Sequence, residues 1–223
     1  MSASQDMVIA IDGPAGSGKS TLARALAASL GLAHLDTGAM YRAVAARALV
    51  ERVDPNDADA LTEIADFLII SFTPAGMTVD GRPAGPELRT PEVDKVVSAV
   101  SAHPGVRKAM VRHQRRIMEN GRVVAEGRDI GTVVFPEAPA KIFLTASDEV
   151  RARRRFSDHD AAGHLVDLNE LLDDLRRRDE LDSTREHSPL TAAEDAIVID
   201  TTDMSIGQMV AEVARIAREV LDA

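Results

Sequence analysis

A glycine-rich turn near the amino terminus constrains this chain more than any other feature of its sequence. The apolar run Met7 to Ile11 is followed by Gly13-Pro-Ala-Gly-Ser-Gly-Lys-Ser20 and then by a periodicity typical of a helix. Glycines let backbone N–H groups approach phosphate oxygens, and the start of a helix adds the positive end of its dipole. This order of strand, loop and helix is the context in which G-x-x-x-x-G-K-S binds a nucleoside triphosphate.

The chemistry of the loop predicts the role of each member. Lys19 can reach the β- and γ-phosphates, and the Ser20 hydroxyl can ligate Mg²⁺, so we expect this cation to accompany the nucleotide. The residues expected to bind the triphosphate, which we take to be ATP, are Gly13, Pro14, Ala15, Gly16, Ser17, Gly18, Lys19, Ser20 and Thr21. By itself, the motif indicates a user of nucleoside triphosphates and leaves the reaction open.

The alternation of apolar segments and helical patterns predicts an α/β fold. Compact apolar segments predict strands at Arg122–Ala125, Lys141–Thr145 and Ala196–Asp200. Helices are predicted from Lys19 to about Leu30 with Gly31 just after it, from Thr37 to Glu51 with Thr37 as its N-cap, and from about Ser205 to Leu221. We expect a three-layer P-loop core with a central parallel sheet, because such strands are covered on both faces.

Two segments interrupt this alternation. Residues 61–90 are rich in turn residues and predict a small β-rich insertion into the core, with strands Phe67–Phe72 and Met77–Asp80 around a turn at Pro74–Gly76. Ala161–Gly163 predicts a mobile connection between two charged helices.

The composition excludes several classes of protein. The 223 residues include 26 Lys and Arg against 36 Asp and Glu, a net charge of −10, which lacks the basic field that broad nucleic-acid binding needs. The chain contains no Cys, which excludes disulfides and thiolate chemistry. The polar start and the short apolar run after it fit neither a signal peptide nor a membrane span. We expect a cytoplasmic monomer with no nucleic-acid or membrane partner.

The segment from His34 to Arg42 separates the classes of P-loop protein. No Asn-Lys-x-Asp sequence for guanine is present, and Asp200 ends its strand too late for the magnesium carboxylate of a motor ATPase. Instead, Asp36 and Thr37 precede Tyr41 and Arg42, so a base or sugar could pack on the tyrosine while the arginine binds a phosphate. A tyrosine packed in the core and a solvated arginine remain the alternative.

Arginines elsewhere indicate an acceptor that is itself a phosphate. The basic residues other than Lys19, Lys95, Lys108 and Lys141 are all Arg, whose planar forks suit phosphate, although a general bias toward Arg explains the same ratio. Arg128 and Asp129 follow a strand and should face the reaction centre. Arg178, Asp182 and Arg185 share one helical face by their spacing. Of the arginines at 151–155, we expect Arg154 to bind ATP and the others to face solvent.

The chain resembles the bacterial cytidylate kinases over nearly its whole length. The stretches that carry the resemblance are Ile11–Ser20, Leu35-Asp-Thr-Gly-Ala-Met-Tyr-Arg42, Leu88-Arg-Thr-Pro-Glu-Val93, Glu126-Gly-Arg-Asp-Ile-Gly-Thr-Val-Val-Phe-Pro136, and Arg178-Asp179 through Arg185 to Leu190. The family often has Asp where this chain has Glu126, an exchange of one carboxylate for another.

The resemblance implies that residues 1–223 form a single kinase unit, with an acceptor-side insertion at 61–90 and a lid at 153–187. It also implies roles for particular residues. Arg42, Arg128 and Arg185 would bind the acceptor phosphate, and Arg178 and Asp182 would face its sugar and phosphate. Cytosine would be recognised by Ser98, Arg107 and Asp129, with Asp36, Thr37 and Tyr41 also on the acceptor side. Lys19, Arg128, Arg178 and Arg185 would be the catalytic set. The implied reaction transfers the γ-phosphoryl group of ATP to CMP or dCMP.

Two other functions remain open at this point. The acceptor could be another nucleoside monophosphate or a small metabolite, since the loop does not specify it. The chain could also be a regulatory protein that binds a nucleotide without turning it over. A panel of acceptors assayed with ATP and Mg²⁺ would separate these possibilities.

Overall fold

The computed structural model describes residues 7–73, 76–119, 121–161 and 163–221. The chain divides into two compact units. The first unit comprises Met1–His34 and Arg122–Ala223, and the second unit comprises Leu35–Gly121. The second unit contains the 61–90 segment, whose acceptor-side role stays a prediction, as does the lid at 153–187.

The helices and strands are as follows in chain order. Residues 7–67 form β1 (Met7–Asp12), α1 (Lys19–Leu30), β2 (Ala33–Asp36), α2 (Thr37–Glu51) and α3 (Ala58–Phe67). Residues 70–118 form β3 (Ile70–Thr73), β4 (Gly76–Val79), β5 (Arg82–Pro83), a 3₁₀ turn (Pro86–Arg89), α4 (Pro91–Ala102) and α5 (Pro104–Met118). Residues 122–221 form β6 (Arg122–Gly127), a π-helical turn (Ile130–Val134), β7 (Ala140–Thr145), α6 (Asp148–Ala161), α7 (Leu168–Thr184), β8 (Ile197–Asp200) and α8 (Ile206–Leu221).

A central parallel sheet confirms the α/β prediction. In the described part of the chain its five strands lie in the order β2-β6-β1-β7-β8. β1 pairs in parallel with β6, where Ile9 lies beside Val124, and with β7, where Ile11 lies beside Ile142. The three later strands form close to their predicted bounds, although β6 continues to Gly127.

The core of the first unit explains why β1 is a continuous apolar run. Its residues from Val8 to Ile11 are fully buried, because both faces of this central strand are covered. Leu22 and Leu26 of α1 and Val213 of α8 pack into the same hydrophobic cluster as β1 and β7. Packing of the two helices against the sheet therefore holds the strand that leads into the glycine-rich turn.

The first two helices show how local sequence sets helix ends. α1 spans the predicted residues, and Gly31 directly after it has φ 64, a left-handed conformation that suits glycine. α2 also spans its predicted residues, but the prediction of Thr37 as its N-cap is wrong. Asp36 is the cap, with its Oδ1 accepting a hydrogen bond from the Ala39 N–H at 2.9 Å. Thr37 is instead the first helical residue and is buried.

The apolar segment at 67–72 departs from its predicted structure. Phe67 ends α3, a helix capped by Asp57 and buried through Leu61 and Ala65, so the strand begins only at Ile70. Phe67 is 78% exposed, which shows that this apolar run is not one buried strand. β3, β4 and β5 do form an antiparallel sheet in the predicted region.

Two predicted connections fall partly on residues that the structure does not describe. Pro74 and Ala75 of the predicted turn lie outside the described residues, as does Ala162 of the predicted mobile connection. The flanking helices α6 and α7 pack against each other within the first unit.

The last helix, α8, begins at Ile206, one position after its predicted start. Among the described helices, none is long and apolar enough to cross a membrane.

Candidate active site

The loop between β1 and α1 has the backbone geometry of a phosphate cradle. Gly13 and Gly16 have φ values of 144 and 75, in the region that favours glycine. A Cβ at Gly13 would lie 2.2 Å from the Leu144 carbonyl oxygen, and one at Gly16 would lie 2.8 Å from the Arg151 carbonyl oxygen. The loop is therefore packed too closely for side chains at these positions, and α1 begins directly after it.

Lys19 is held inside this loop. Its Nζ donates a hydrogen bond to the Pro14 carbonyl oxygen at 2.6 Å. Burial lowers the pKa of Lys19 from 10.5 to about 7, and the charge of Arg128 adds to this effect. A neutral carbonyl offsets little of the cost of burying an ammonium, so an anionic phosphate would be a better partner for Lys19.

Ser20, Glu126 and His34 form a hydrogen-bonded chain that the sequence analysis did not anticipate. Ser20 Oγ donates to Glu126 Oε2 at 2.6 Å, and Glu126 Oε1 lies 2.9 Å from His34 Nε2. Glu126 is buried at the end of β6, and His34 lies on β2. An apolar strand running into a carboxylate was the available signal, because such a residue often lies beside the magnesium site of a P-loop.

Asp12 ties the end of β1 to the turn that follows Asp129. Its two carboxylate oxygens accept hydrogen bonds from the Ile130 and Gly131 N–H groups at 2.8 and 2.7 Å. Burial raises the pKa of Asp12 to about 6, against the opposing effect of these hydrogen bonds. Asp129 is itself buried and lies between β6 and the π-helical turn. This contact fixes the segment that carries Arg128 and Asp129.

Two arginines of α6 contact the loop. Arg154 Nη1 donates to the Ser17 carbonyl oxygen at 3.3 Å, and burial lowers the pKa of its guanidinium. Arg151 Nη1 donates to the Ala15 carbonyl oxygen at 3.0 Å. The prediction that the arginines of this run other than Arg154 face solvent is therefore wrong for Arg151, because the inner face of α6 packs on the loop. Arg153 is exposed, as predicted, whereas Arg155 is half-buried.

Carboxylates of α7 hold the predicted phosphate-binding arginines of the first unit. Asp182 Oδ2 lies 3.1 Å from Arg128 Nη2, and Asp182 Oδ1 accepts a hydrogen bond from Arg185 Nη1 at 3.3 Å. Arg185 was predicted to meet Asp182 on one helical face. The two side chains do meet, but the prediction of a shared helical face is wrong, because α7 ends at Thr184 and Arg185 is extended. Arg178, one turn before Asp182, is half-buried. One carboxylate thus orients two guanidinium groups.

Asp179 is a second residue that sequence reasoning missed. Its Oδ2 lies 2.5 Å from Arg151 Nη1, and its Oδ1 lies 3.7 Å from Arg128 Nη1. Because Arg151 also contacts the Ala15 carbonyl, Asp179 links the loop to the predicted acceptor arginine. Its position beside Arg178 in the sequence gave no indication of this link, which depends on the packing of α6 against α7.

The second unit holds the other predicted acceptor residues. Arg42 Nη2 donates to Asp94 Oδ1 at 2.6 Å, so the alternative of a solvated Arg42 is wrong, although Tyr41 is buried as that alternative required. The Arg107 guanidinium carbon lies 5.3 Å from the centre of the Tyr41 ring. Arg107 is only 4% exposed, whereas periodicity alone would place it on the surface. Ser98 is half-buried on α4.

Asp36 contributes to the structure of the second unit through both carboxylate oxygens. Oδ1 caps α2, while Oδ2 accepts a hydrogen bond from Arg89 Nη2 at 2.9 Å.

The predicted acceptor residues fall on both units. Asp36, Thr37, Tyr41, Arg42, Ser98 and Arg107 belong to the second unit, and Arg128, Asp129, Arg178, Asp182 and Arg185 belong to the first.

The parallel sheet leads into a glycine-rich loop that carries Lys19 and Ser20, and Arg151 and Arg154 of α6 contact this loop. This arrangement defines a P-loop phosphotransferase. The family model described as cytidylate kinase matches residues 9–219. The chain belongs to the cytidylate kinase family, which confirms the resemblance. It is a kinase of the nucleoside monophosphate class.

Individual relatives agree with this assignment. A cytidylate kinase of Limosilactobacillus reuteri (strain DSM 20016) is 46% identical over 219 residues, covering 96% of each chain. One of Mycolicibacterium paratuberculosis (strain ATCC BAA-968 / K-10) is 48% identical over 221 residues, covering 97% of each. The solved structure of an uncharacterized protein from Eubacterium ventriosum ATCC 27560 has a TM-score of 0.51 at 15% identity, covering 98% of this chain and 99% of that one. This last likeness supports the fold alone.

Proposed function

We propose that this protein transfers the γ-phosphoryl group of ATP to CMP and dCMP, giving ADP and CDP or dCDP. The observation that supports the proposal lies within the first unit. This unit contains both the glycine-rich loop and the arginines that Asp179 and Asp182 hold. A loop for one polyanion and guanidinium groups for a second suit a reaction between two phosphates. The names of the relatives support cytidine as the nucleoside.

On the donor side, the loop residues 13–21 and Arg154 are proposed to bind ATP. The Lys19 ammonium would leave the Pro14 carbonyl for the β- and γ-phosphates, a stronger acceptor pair. A hydroxyl and a carboxylate, Ser20 Oγ and Glu126 Oε2, lie 2.6 Å apart beside the loop, and such hard oxygen groups fit Mg²⁺. We propose Ser20 as its protein ligand. When bound with ATP, the cation would neutralise charge on the phosphates.

On the acceptor side, we propose that Arg42, Arg128 and Arg185 bind the CMP phosphate. Arg178 and Asp182 are proposed to face the sugar and phosphate, with Asp36, Thr37 and Tyr41 also on this side. These arginines are already paired with carboxylates, such as Asp94 for Arg42, so their forks are oriented before the ligand arrives. Such preorganisation lowers the entropy lost when the phosphate binds.

Recognition of cytosine is proposed to rest on Ser98, Arg107 and Asp129. Cytosine presents an amine donor beside two ring acceptors, which a carboxylate, an arginine and a hydroxyl can match. Uracil inverts the donor pattern at two positions and would leave buried groups unpaired. Arg107 and Asp129 are both buried, which makes such a mismatch costly.

The chemical step needs no protein nucleophile. An oxygen of the acceptor phosphate forms a bond to the γ-phosphorus while the bond from that phosphorus to the β–γ bridging oxygen breaks, and ADP leaves. Because the acceptor phosphate is already anionic, a strong general base is unnecessary. Lys19, Arg128, Arg178 and Arg185 are proposed to stabilise the charge that spreads over the transferred group.

A substrate panel tests this function. ADP formation from Mg·ATP is followed with CMP, dCMP, UMP and AMP, and with no acceptor. We expect CMP and dCMP to be used well and UMP poorly. Equal rates with UMP and CMP would contradict the assignment of the base-recognition residues. Turnover with none of the four acceptors, in protein that still binds ATP, would favour the regulatory alternative.

A further inference from the structure

A buried carboxylate joins two side chains that come from distant parts of the first unit. Glu126 Oε2 accepts from Ser20 Oγ at 2.6 Å, and Glu126 Oε1 lies 2.9 Å from His34 Nε2. The Glu126 side chain is 4% exposed and the His34 side chain 20% exposed. Both carboxylate oxygens are thus bonded to neighbouring side chains, and the contact is mostly shielded from water.

The direction of each hydrogen bond follows from the chemistry of the groups. An ionised carboxylate only accepts, so His34 Nε2 must carry the proton that it shares with Glu126. Ser20 uses its single hydroxyl proton on Glu126, which leaves both oxygen lone pairs available to an incoming cation. His34 therefore fixes one end of the Glu126 carboxylate, and the other end fixes the rotation of the Ser20 hydroxyl.

Because Lys19 is nearby, the contact between His34 and Glu126 has a consequence for ligand binding. Lys19 directly precedes Ser20 at the start of α1, and Ser20 Oγ contacts Glu126 at 2.6 Å, so the carboxylate lies in the same part of the site as the ammonium. A Glu126 side chain that had lost its bond to His34 could turn toward Lys19. It would then compete with the nucleotide phosphates for that ammonium and release the Ser20 hydroxyl from its orientation.

We propose that His34 is a positioning residue for the divalent cation that binds with the nucleotide, acting through Glu126 on Ser20. The inference rests on the proposed role of Ser20 as the cation ligand. Outer groups that orient a ligand of a metal commonly set its affinity, although they never touch the metal. His34 and Glu126 thus tune how strongly the cation binds, while the nucleotide is held by the loop.

The test measures cation binding directly, without an acceptor. Binding of Mn²⁺ to the ADP complex of the full chain is titrated by electron paramagnetic resonance, and the affinity for ADP alone is measured by calorimetry. The variants are His34→Phe, which removes the donor, and His34→Gln, whose amide keeps an N–H near the position of Nε2. The control is His113→Phe, which removes a half-buried imidazole bonded to the Ala65 carbonyl in the second unit.

We expect His34→Phe to weaken Mn²⁺ binding about tenfold and His34→Gln to stay within about threefold of the parent. Affinity for ADP without the cation should not change, and His113→Phe should match the parent in both measurements. Parent-like Mn²⁺ affinity in His34→Phe would overturn the proposal. Equal losses in the Phe and Gln variants, or a matching loss in His113→Phe, would also overturn it, because they would point to general loosening of the fold.

The outcome is separable from the proposed acceptor. The titration contains no CMP, so it remains informative if the substrate panel identifies another acceptor. If the protein phosphorylates CMP and its Mn²⁺ affinity does not depend on His34, this inference alone is refuted. A protein whose Mn²⁺ affinity depends on His34 but which does not use CMP would refute the acceptor assignment alone.

Discussion

Lys19 is placed to bind a phosphate, but the burial of its ammonium lowers the stability of the folded protein. The side chain is buried with a carbonyl acceptor, and burial lowers its pKa from 10.5 to about 7. Between about pH 7 and pH 10.5, Lys19 is protonated in the unfolded chain and has lost that proton in the folded protein. The contribution of Lys19 to stability therefore rises with pH across this window and is least favourable below pH 7.

Lys19→Met tests this cost. The variant keeps the length of the side chain and removes its charge, so at pH 6.5 its free energy of unfolding should exceed that of the parent by on the order of 2 kcal/mol. Phosphoryl transfer should be lost in the same variant. Urea unfolding of the ligand-free proteins measures the first quantity, with Lys95→Met, an exposed lysine, as the control. A Lys19→Met protein less stable than the parent would contradict the burial argument.

At the scale of elements, the packing of α6 against α7 brings together residues that no local pattern connects. Asp179 on α7 lies against Arg151 on α6 and near Arg128 after β6. The Arg151 side chain is 4% exposed, so its charge depends on this partner and on Asp148. Removing one member of a buried pair leaves the other uncompensated, which costs more than the pair contributes.

Asp179→Asn should therefore destabilise the protein. We expect the free energy of unfolding to fall by about 2 kcal/mol, because Arg151 keeps its charge and loses its nearest carboxylate charge on α7. Asp174→Asn is the matched control on the same helix, since Asp174 pairs with Arg177 at an exposed position and should cost less than about 0.5 kcal/mol. Thermal melts of the three proteins compare them. Equal shifts in the two variants would remove Asp179 from the proposed link.

For the whole molecule, the division into two units places the residues proposed for ATP in the first unit, whereas the residues proposed for the acceptor fall on both units. The ATP loop and Arg154 belong to the first unit, whereas Arg107, the proposed cytosine donor, belongs to the second. Arg107 is bonded within the second unit, with its Nη1 donating to the Ser101 carbonyl oxygen at 3.1 Å. Changes at Arg107 should therefore leave the donor loop intact.

Arg107→Met is expected to affect one substrate only. The KM for CMP should rise about a hundredfold, because a buried base would lose a charged donor, while the Kd for ATP should stay unchanged. Arg112→Met, on the same helix, removes an exposed arginine paired with Asp66 and should leave both constants unchanged. Steady-state kinetics and ATP calorimetry provide the two measurements. A loss of ATP affinity in Arg107→Met would contradict the independence of the ATP loop from Arg107.

Local sequence rules were sufficient for much of the fold. The strand, loop and helix at the amino terminus, the bounds of α1 and α2, and the later strands could be predicted because periodicity and glycine conformation act over a few residues. The same rules were wrong where an apolar run changes role, as at Phe67, which ends a helix and is exposed. They were also wrong for the cap of α2, because both Asp36 and Thr37 are capable capping residues.

By itself, the sequence determined the nucleotide loop, the α/β class and the family, because these depend on short motifs and on the order of apolar and helical segments along the chain. The tertiary structure alone decided that Arg107 is buried and that Glu126 joins Ser20 to His34. Those partners are 106 and 92 positions from Glu126. They meet because β2 and β6 lie side by side in the sheet and α1 packs over β6, an arrangement set by burial of apolar surface rather than by any local pattern.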